Sequence, residues 1–148
     1  MCLIIDACSA NIVAAENCEA SSIIIEWVRT KGHVVSGGEL QKELGRTRLN
    51  ALIIQWSRAG RFTIVDPTRL AVELKTLETC PVRSNDHHVI AIARIANAGV
   101  VVTGDDDLMK DLKDPAVAIE RRKVIKLIAN HSPRQKIVRN VLQKAGCR

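Results

Sequence analysis

The 148-residue chain is long enough for one domain with a buried core, and its 47% hydrophobic and 26% charged residues are ordinary for a globular protein. Aromatic residues make up only 2% of the sequence, which argues against recognition of nucleic-acid bases by stacking. No apolar run reaches the roughly 18 residues of a membrane span, and the first predicted strand begins almost at Met1, which leaves no room for a signal peptide. The composition therefore predicts a cytoplasmic protein with no membrane partner.

Strand-like and helix-like patterns alternate along the chain. Strands are predicted at 2–5, 33–35, 62–65, 100–102 and 123–128. Helices are predicted at 7–15, 19–31, from about 38, 48–58, 69–77, 85–98, 108–113 and from Ser132-Pro133 onwards. This alternation predicts a single α/β domain over 1–148 with a central, mainly parallel sheet of four to five strands. Its core would span about 1–115, and about 116–148 would form a basic C-terminal extension.

Two of these helices have recognisable boundary residues. Thr68 is placed to cap the helix over 69–77. Ser84 or Asn85 would cap the helix before the fourth strand, with Asp86 in its first turn and Gly99 just beyond its end. These boundaries place Asp86 at the start of a helix that leads directly into a buried strand.

Basic residues are concentrated near the C terminus. The net charge is +6, and residues 121–148 contain nine Lys/Arg and no acidic residue, whereas residues 1–120 contain sixteen Asp/Glu and thirteen Lys/Arg. A basic segment beside an acidic body is typical of proteins that bind a polyanion such as nucleic acid, although it is equally compatible with a solvated charged surface.

The cysteines do not indicate a metal site or a disulfide framework. Their number is odd and no CxxC pair occurs; they are Cys2, Cys8, Cys18, Cys80 and Cys147. This pattern predicts reduced thiols in a cytosolic protein.

Acidic residues occur where strands and helices meet. Asp6 follows the first strand, Asp86 begins a helix, Asp105 follows the fourth strand with Asp107 close behind, and Glu43 lies on the helix after the second strand. Side-by-side βα units would bring these residues together, although two carboxylates about 5 Å apart repel by roughly 3 kcal/mol at an effective dielectric near 20. Such a group would take up protons or hold a cation, and an all-oxygen set favours Mg²⁺ or Mn²⁺. Metal-assisted hydrolysis of a phosphodiester fits this chemistry.

Three sequence blocks resemble the PIN-domain nucleases, a family that includes VapC-like ribonucleases. They are LIIDA with Asp6, SNDHHVIAIA with Asp86, and VVVTGDDDL with Asp105 and Asp107. The resemblance implies a PIN-like α/β/α sandwich and a Mg²⁺- or Mn²⁺-dependent endoribonuclease. Its metal ligands and catalytic acids would be Asp6, Asp86, Asp105 and an acid on the helix after the second strand, with Asp107 as a further ligand or supporting acid.

The resemblance also bears on neighbouring positions and on partners. Glu43 suits the family pattern as the helical acid better than Glu39, which lies one turn away. Cys8 stands where the family often has a small polar residue or Asn, which leaves Ser9 as the nearby hydroxyl. Small members of the family often act as the toxin of a toxin–antitoxin pair, so RNA, an antitoxin protein and a second copy of the chain are the implied partners. The basic segment is not part of the family pattern.

Two other functions compete with a nuclease. The first is a non-catalytic RNA-binding or regulatory module on the same scaffold. The second is a phosphoacceptor receiver domain, which would need an acidic pair at the first strand and a Lys at the end of the last one. The chain has a lone Asp6 after the first strand, which disfavours the receiver domain.

Overall fold

A five-stranded, all-parallel sheet forms the centre of the protein. The computed structural model describes residues 2–145. The strands are β1 (Cys2–Ile5), β2 (His33–Ser36), β3 (Phe62–Ile64), β4 (Val100–Thr103) and β5 (Lys123–Lys126). They lie in the order β3-β2-β1-β4-β5, and each neighbouring pair is parallel. The predicted α/β class and parallel sheet are confirmed.

Helices flank the sheet, as in the α/β/α sandwich that the sequence resemblance implies. They are α1 (Ala7–Ala15), α2 (Glu19–Thr30), α3 (Gly38–Gly45), α4 (Asn50–Arg58), α5 (Pro67–Leu77), α6 (His87–Ala96), α7 (Asp106–Lys113), α8 (Pro115–Ala118) and α9 (Gln135–Gln143). Parallel strands require crossover connections, and helices supply them between every consecutive pair of strands.

The two central strands are apolar and buried on both faces. Leu3, Ile4 and Ile5 of β1 are fully buried, as is the run 100–102 of β4, and the two strands pair along these residues. A short β-branched run without polar alternation is what a strand between two helical layers requires, because both of its faces must be apolar. The carboxyl ends of β1 and β4 are therefore held side by side on a rigid support.

Several helix boundaries differ from the predicted ones. Asp66, rather than Thr68, caps α5, since its side chain accepts a hydrogen bond from the Arg69 amide and Pro67 takes the first helical position. Helix α6 begins at His87, so Asp86 is its N-cap residue and lies outside the first turn. The same helix ends at Asn97 in the left-handed region (φ 47°), two residues before Gly99, because Asn tolerates this conformation. 

The basic C-terminal segment supplies the edge strand β5, which pairs with β4. Helix α9 starts at Gln135, later than the predicted Ser132-Pro133, and packs against α2 and β5 through the buried Val138 and Leu142. The last basic residue, Arg148, lies outside the described residues.

Three of the cysteines, Cys8, Cys18 and Cys80, are free thiols. Cys2 is disulfide-bonded, so the prediction that all five cysteines are reduced is wrong at that position. Cys147 lies outside the described residues. Among residues 2–145, no helix has the length and apolar character needed to cross a membrane.

Candidate active site

The strand order creates a crevice at the carboxyl ends of β1 and β4. From β1 the chain moves outward through β2 to β3, and it then returns to place β4 and β5 on the other side of β1. Ligands of open parallel sheets bind at such a reversal, beyond the carboxyl ends of the two central strands. Asp6 follows β1 directly, and Asp105 follows β4 after Gly104. The sheet therefore brings these two acids to the same crevice although they are far apart in sequence.

Asp6 is almost completely buried, with 4% of its surface exposed. Its Oδ2 accepts a hydrogen bond from Thr103 Oγ1 at 2.6 Å and one from the Cys8 thiol at 3.1 Å. Burial is the largest influence on Cys8 and raises the pKa of its thiol, which keeps the thiol protonated as a donor to Asp6. Both contacts use Oδ2, so Oδ1 of Asp6 lies outside them.

The hydroxyl of Ser9 lies 3.8 Å from the Cys8 sulfur and donates its hydrogen bond elsewhere. Ser9 is fully buried, and its Oγ donates a hydrogen bond to the Leu127 carbonyl just beyond β5. Cys8, whose sulfur also accepts a hydrogen bond from the Gly104 amide at 3.3 Å, lies beside Asp6 instead. The side chain two positions after Asp6 is thus a thiol that links the ends of β1 and β4.

Asp105 is fixed as the N-cap residue of α7. Its Oδ1 accepts hydrogen bonds from the Asp107 amide at 2.8 Å and from the Leu108 amide at 3.0 Å. These bonds satisfy two of the free amides at the helix start and stabilise the carboxylate there. As with Asp6, one oxygen is held and the other lies outside these contacts.

Asp86 approaches this pair of acids from the start of α6. Its pKa is raised from 3.8 to about 6, first by burial and then by the negative charges of Asp6, Asp105 and Glu43. A hydrogen bond with the Asp105 side chain acts in the same direction. These influences indicate that four of the predicted site residues lie near one another.

The two glutamates of α3 have different surroundings. Glu43 is exposed but close enough to Asp86 to raise its pKa. Glu39 forms an ion pair with Lys42 at 2.8 Å, and this hydrogen bond is the largest of the causes that lower the pKa of Glu39. The geometry therefore favours Glu43 over Glu39 as the helical member of the site.

Asp107 lies apart from the buried acids. Its side chain is 58% exposed, and its Oδ1 is 3.7 Å from Lys110 Nζ on the next turn of α7. The neighbouring Asp106 pairs in the same way with Lys126, at 3.0 Å. Both acids lie in the first turn of α7, where negative charge is favourable.

The donor set matches Mg²⁺ or Mn²⁺ in chemistry, but the side chains do not form a ready ligand shell. Carboxylate oxygens are the ligands that these cations prefer, and a cation would offset the repulsion that raises the pKa of Asp86. Within residues 2–145, however, no three His, Cys, Asp or Glu side chains are arranged to hold one ion. The carboxylates of Asp6, Glu43, Asp86 and Asp105 would therefore have to move closer together to bind one ion.

Two polar residues that shape the site were not identified from the sequence. Thr103, the last residue of β4, is fully buried and donates to Asp6. Asp111 on α7 is fully buried and accepts hydrogen bonds from the loop that leads to Asp86. The sequence does indicate that Asp111 is unusual, because helical spacing places this acid on the same apolar face of α7 as Leu108 and Leu112.

Comparison of the chain with models of known protein families, with curated proteins and with solved structures gave no match.

Proposed function

We propose that this protein is a metal-dependent endoribonuclease that hydrolyses RNA phosphodiester bonds. The observation that carries the proposal is the half-buried Asp86 carboxyl, whose pKa is raised to about 6 beside Asp6, Asp105 and Glu43. Gathering four carboxylates is unfavourable by itself, so the arrangement calls for a positively charged ligand.

Mg²⁺ or Mn²⁺ would be held by Asp6, Glu43, Asp86 and Asp105, with Asp107 as a further ligand or a supporting acid. Bound there, the cation would lower the pKa of a water molecule and neutralise charge on a phosphoryl oxygen. Thr103 orients Asp6 through its hydroxyl, and the amides of α7 orient Asp105. A bound cation would lower the raised pKa of Asp86, so that this side chain would lose its proton and act as a carboxylate ligand.

The C-terminal basic segment is the part of the chain we assign to the RNA backbone. Two of its basic residues have structural contacts: Arg122 is buried and hydrogen-bonded to Asn97, and Lys126 pairs with Asp106. The others that the structure describes are exposed, namely Arg121, Lys123, Arg134, Lys136, Arg139 and Lys144. Phosphate contacts by these side chains would make RNA binding weaken with rising salt.

The proposal extends to the setting in which the enzyme acts. Its resemblance to small PIN-domain ribonucleases suggests a cytoplasmic toxin that forms a homodimer and is held inactive by an antitoxin protein. Purification of the protein from its native cells, followed by identification of bound chains, tests this part without reference to catalysis.

The activity is tested by incubating labelled single-stranded and structured RNAs with the protein in Mn²⁺, in Mg²⁺ and in EDTA. We expect cleavage that requires the metal and that falls at least roughly 100-fold in Asp6→Asn and Asp105→Asn, because each variant removes a ligand charge. Asp66→Asn is the matched control, since Asp66 also caps a helix but lies on α5. Cleavage that persists in EDTA, or in both site variants, would rule the proposal out.

A non-catalytic RNA-binding module is the second candidate. It is favoured by the hydrogen bonds that already engage Asp6 and Asp105 and by the lack of a ready ligand shell within residues 2–145. RNA binding without cleavage in any metal, and with equal affinity in Asp105→Asn, would support this function over the nuclease.

A further inference from the structure

The buried Asp111 on α7 is an acid that the proposed chemistry does not use. It lies on the inner face of the helix between Leu108 and Leu112, and its side chain has no exposed surface. A carboxylate is rarely buried completely unless its charge is matched by donors. Its partners therefore indicate its role.

The donors to Asp111 come mainly from the backbone of the loop before α6. The Arg83 amide lies 3.0 Å from Oδ1 and 3.1 Å from Oδ2, and the Ser84 amide donates to Oδ2 at 2.9 Å. The Arg83 guanidinium adds a contact to Oδ1 at 3.3 Å. Charge-assisted bonds to two consecutive amides fix the path of the backbone and not merely the position of one side chain.

This contact continues directly to Asp86. The Ser84 hydroxyl accepts a hydrogen bond from the Asp86 amide at 3.3 Å, so the chain of contacts runs from Asp111 through Ser84 to Asp86. Asp86 has no side-chain capping bond of its own on α6. Helix α7 thus carries Asp105 at its start and, through Asp111, holds the loop that presents Asp86 to Asp105.

We propose that Asp111 is a positioning residue that keeps Asp86 beside Asp105 by clamping residues 83–84. The inference rests on the proposed function, because it assigns Asp111 a part in building the metal site. Without the clamp, the loop and Asp86 would be free to move away from Asp105, as the repulsion among the carboxylates favours. Asp111 itself does not contact metal or substrate.

The test is the affinity of the protein for Mn²⁺ alone, measured by electron paramagnetic resonance of the free ion, together with hydrogen exchange of the backbone amides. Asp111→Asn keeps the shape of the side chain but replaces one acceptor oxygen with a donor, so that at least one loop contact is lost. Arg83→Ala is the first control, since it removes the guanidinium and leaves both backbone amides bound to Asp111. Leu112→Ala is the second, because it weakens the packing of α7 and keeps the Asp111 carboxylate that binds the loop amides.

We expect Asp111→Asn to bind Mn²⁺ about tenfold more weakly, as is typical when a partner of a ligand is removed, and its amides at 83–86 to exchange faster. Both controls should keep the wild-type affinity. An equal loss in Leu112→Ala would overturn the inference, since it would trace the effect to general destabilisation. If Asp111→Asn does not fold, Ser84→Ala interrupts the same chain of contacts: a several-fold loss of affinity supports the inference, and unchanged affinity overturns it.

The two proposals fail in different ways. Wild-type affinity in Asp111→Asn, with faster exchange at 83–86, would overturn the positioning role and leave the proposed function standing. Absence of Mn²⁺ binding by the wild-type protein would overturn the proposed function, and the positioning role with it.

Discussion

Asp86 lies at the end of the loop whose backbone amides bind Asp111, yet the surroundings of the two acids are opposite. Asp111 is completely buried and accepts hydrogen bonds from the backbone amides of Arg83 and Ser84 and from the Arg83 guanidinium. Asp86 is half-buried and faces the carboxylates of Asp6, Asp105 and Glu43. One acid is surrounded by donors and the other by acids.

This difference shows what burial does to a carboxylate in each setting. Donors stabilise the charged form, so a buried acid that has them strengthens the fold. Burial without such donors and neighbouring acids both disfavour the charged form, so Asp86 takes up a proton more readily and its pKa rises to about 6. The surroundings of Asp111 stabilise the fold. The surroundings of Asp86 include a repulsion between carboxylates that a bound cation would offset. The stabilities of variants at the two positions should therefore change in opposite directions.

The largest effect is expected for Asp111→Asn. Replacing the carboxylate leaves at least one buried donor without an acceptor, and the free energy of unfolding should fall by about 2–3 kcal/mol. Urea denaturation at pH 7 measures this loss. A loss under about 0.5 kcal/mol, the usual range for surface substitutions, would show that the contacts to Arg83 and Ser84 contribute little.

A smaller effect of opposite sign is expected for Asp86→Asn. Because the raised pKa makes the folded protein bind the proton more tightly than the unfolded chain, Asp86 favours folding below about pH 4 and loses this contribution as the pH rises through about 6. At pH 7 the substitution should therefore raise the free energy of unfolding by about 1 kcal/mol, a value reduced for the partial exposure of the side chain. Denaturation at pH 7 and pH 4 should show the gain at the higher pH only. Destabilisation at pH 7 would contradict the account.

The smallest effect is expected for Arg83→Ala. The guanidinium is 46% exposed and also contacts Asp114 at 3.2 Å, so its ion pairs are partly screened by water. The variant should be only slightly less stable than the wild type, and the difference should shrink further in high salt. A loss as large as that of Asp111→Asn would mean that the side chain of Arg83, and not the loop backbone, is the main partner of Asp111.

Much of the fold could be predicted because it depends on local patterns. The apolar runs at 2–5 and 100–102 and the acids that follow them are short-range signals, and they place Asp6 and Asp105 correctly at two strand ends. The start of α6 was harder to predict, because Ser84 and Asn85 are adjacent and both can cap a helix. Ser84 bonds the amide of Asp86, and this shifts the helix start to His87. 

The remaining site contacts could not be predicted because they join distant parts of the chain. Thr103 bonds Asp6 across 97 positions, and Asp111 bonds the Ser84 amide across 27. Neither contact produces a periodic pattern in the sequence. Almost every residue type has a backbone amide, so the sequence does not show which residues bind the Asp111 carboxylate. The choice of Cys8 over Ser9 as the neighbour of Asp6 likewise depends on the Leu127 carbonyl, which β5 brings within reach of Ser9.

The most direct test of the account is the titration of the Asp86 carboxyl carbon by nuclear magnetic resonance, with and without saturating Mg²⁺. The account predicts a pKa of about 6 without the cation and a marked fall when Mg²⁺ is present, since the cation replaces the proton among the four carboxylates. A pKa near 4 without Mg²⁺ would show that the acids do not converge. A pKa of about 6 that Mg²⁺ leaves unchanged would show that they converge without binding the metal, and would contradict the nuclease.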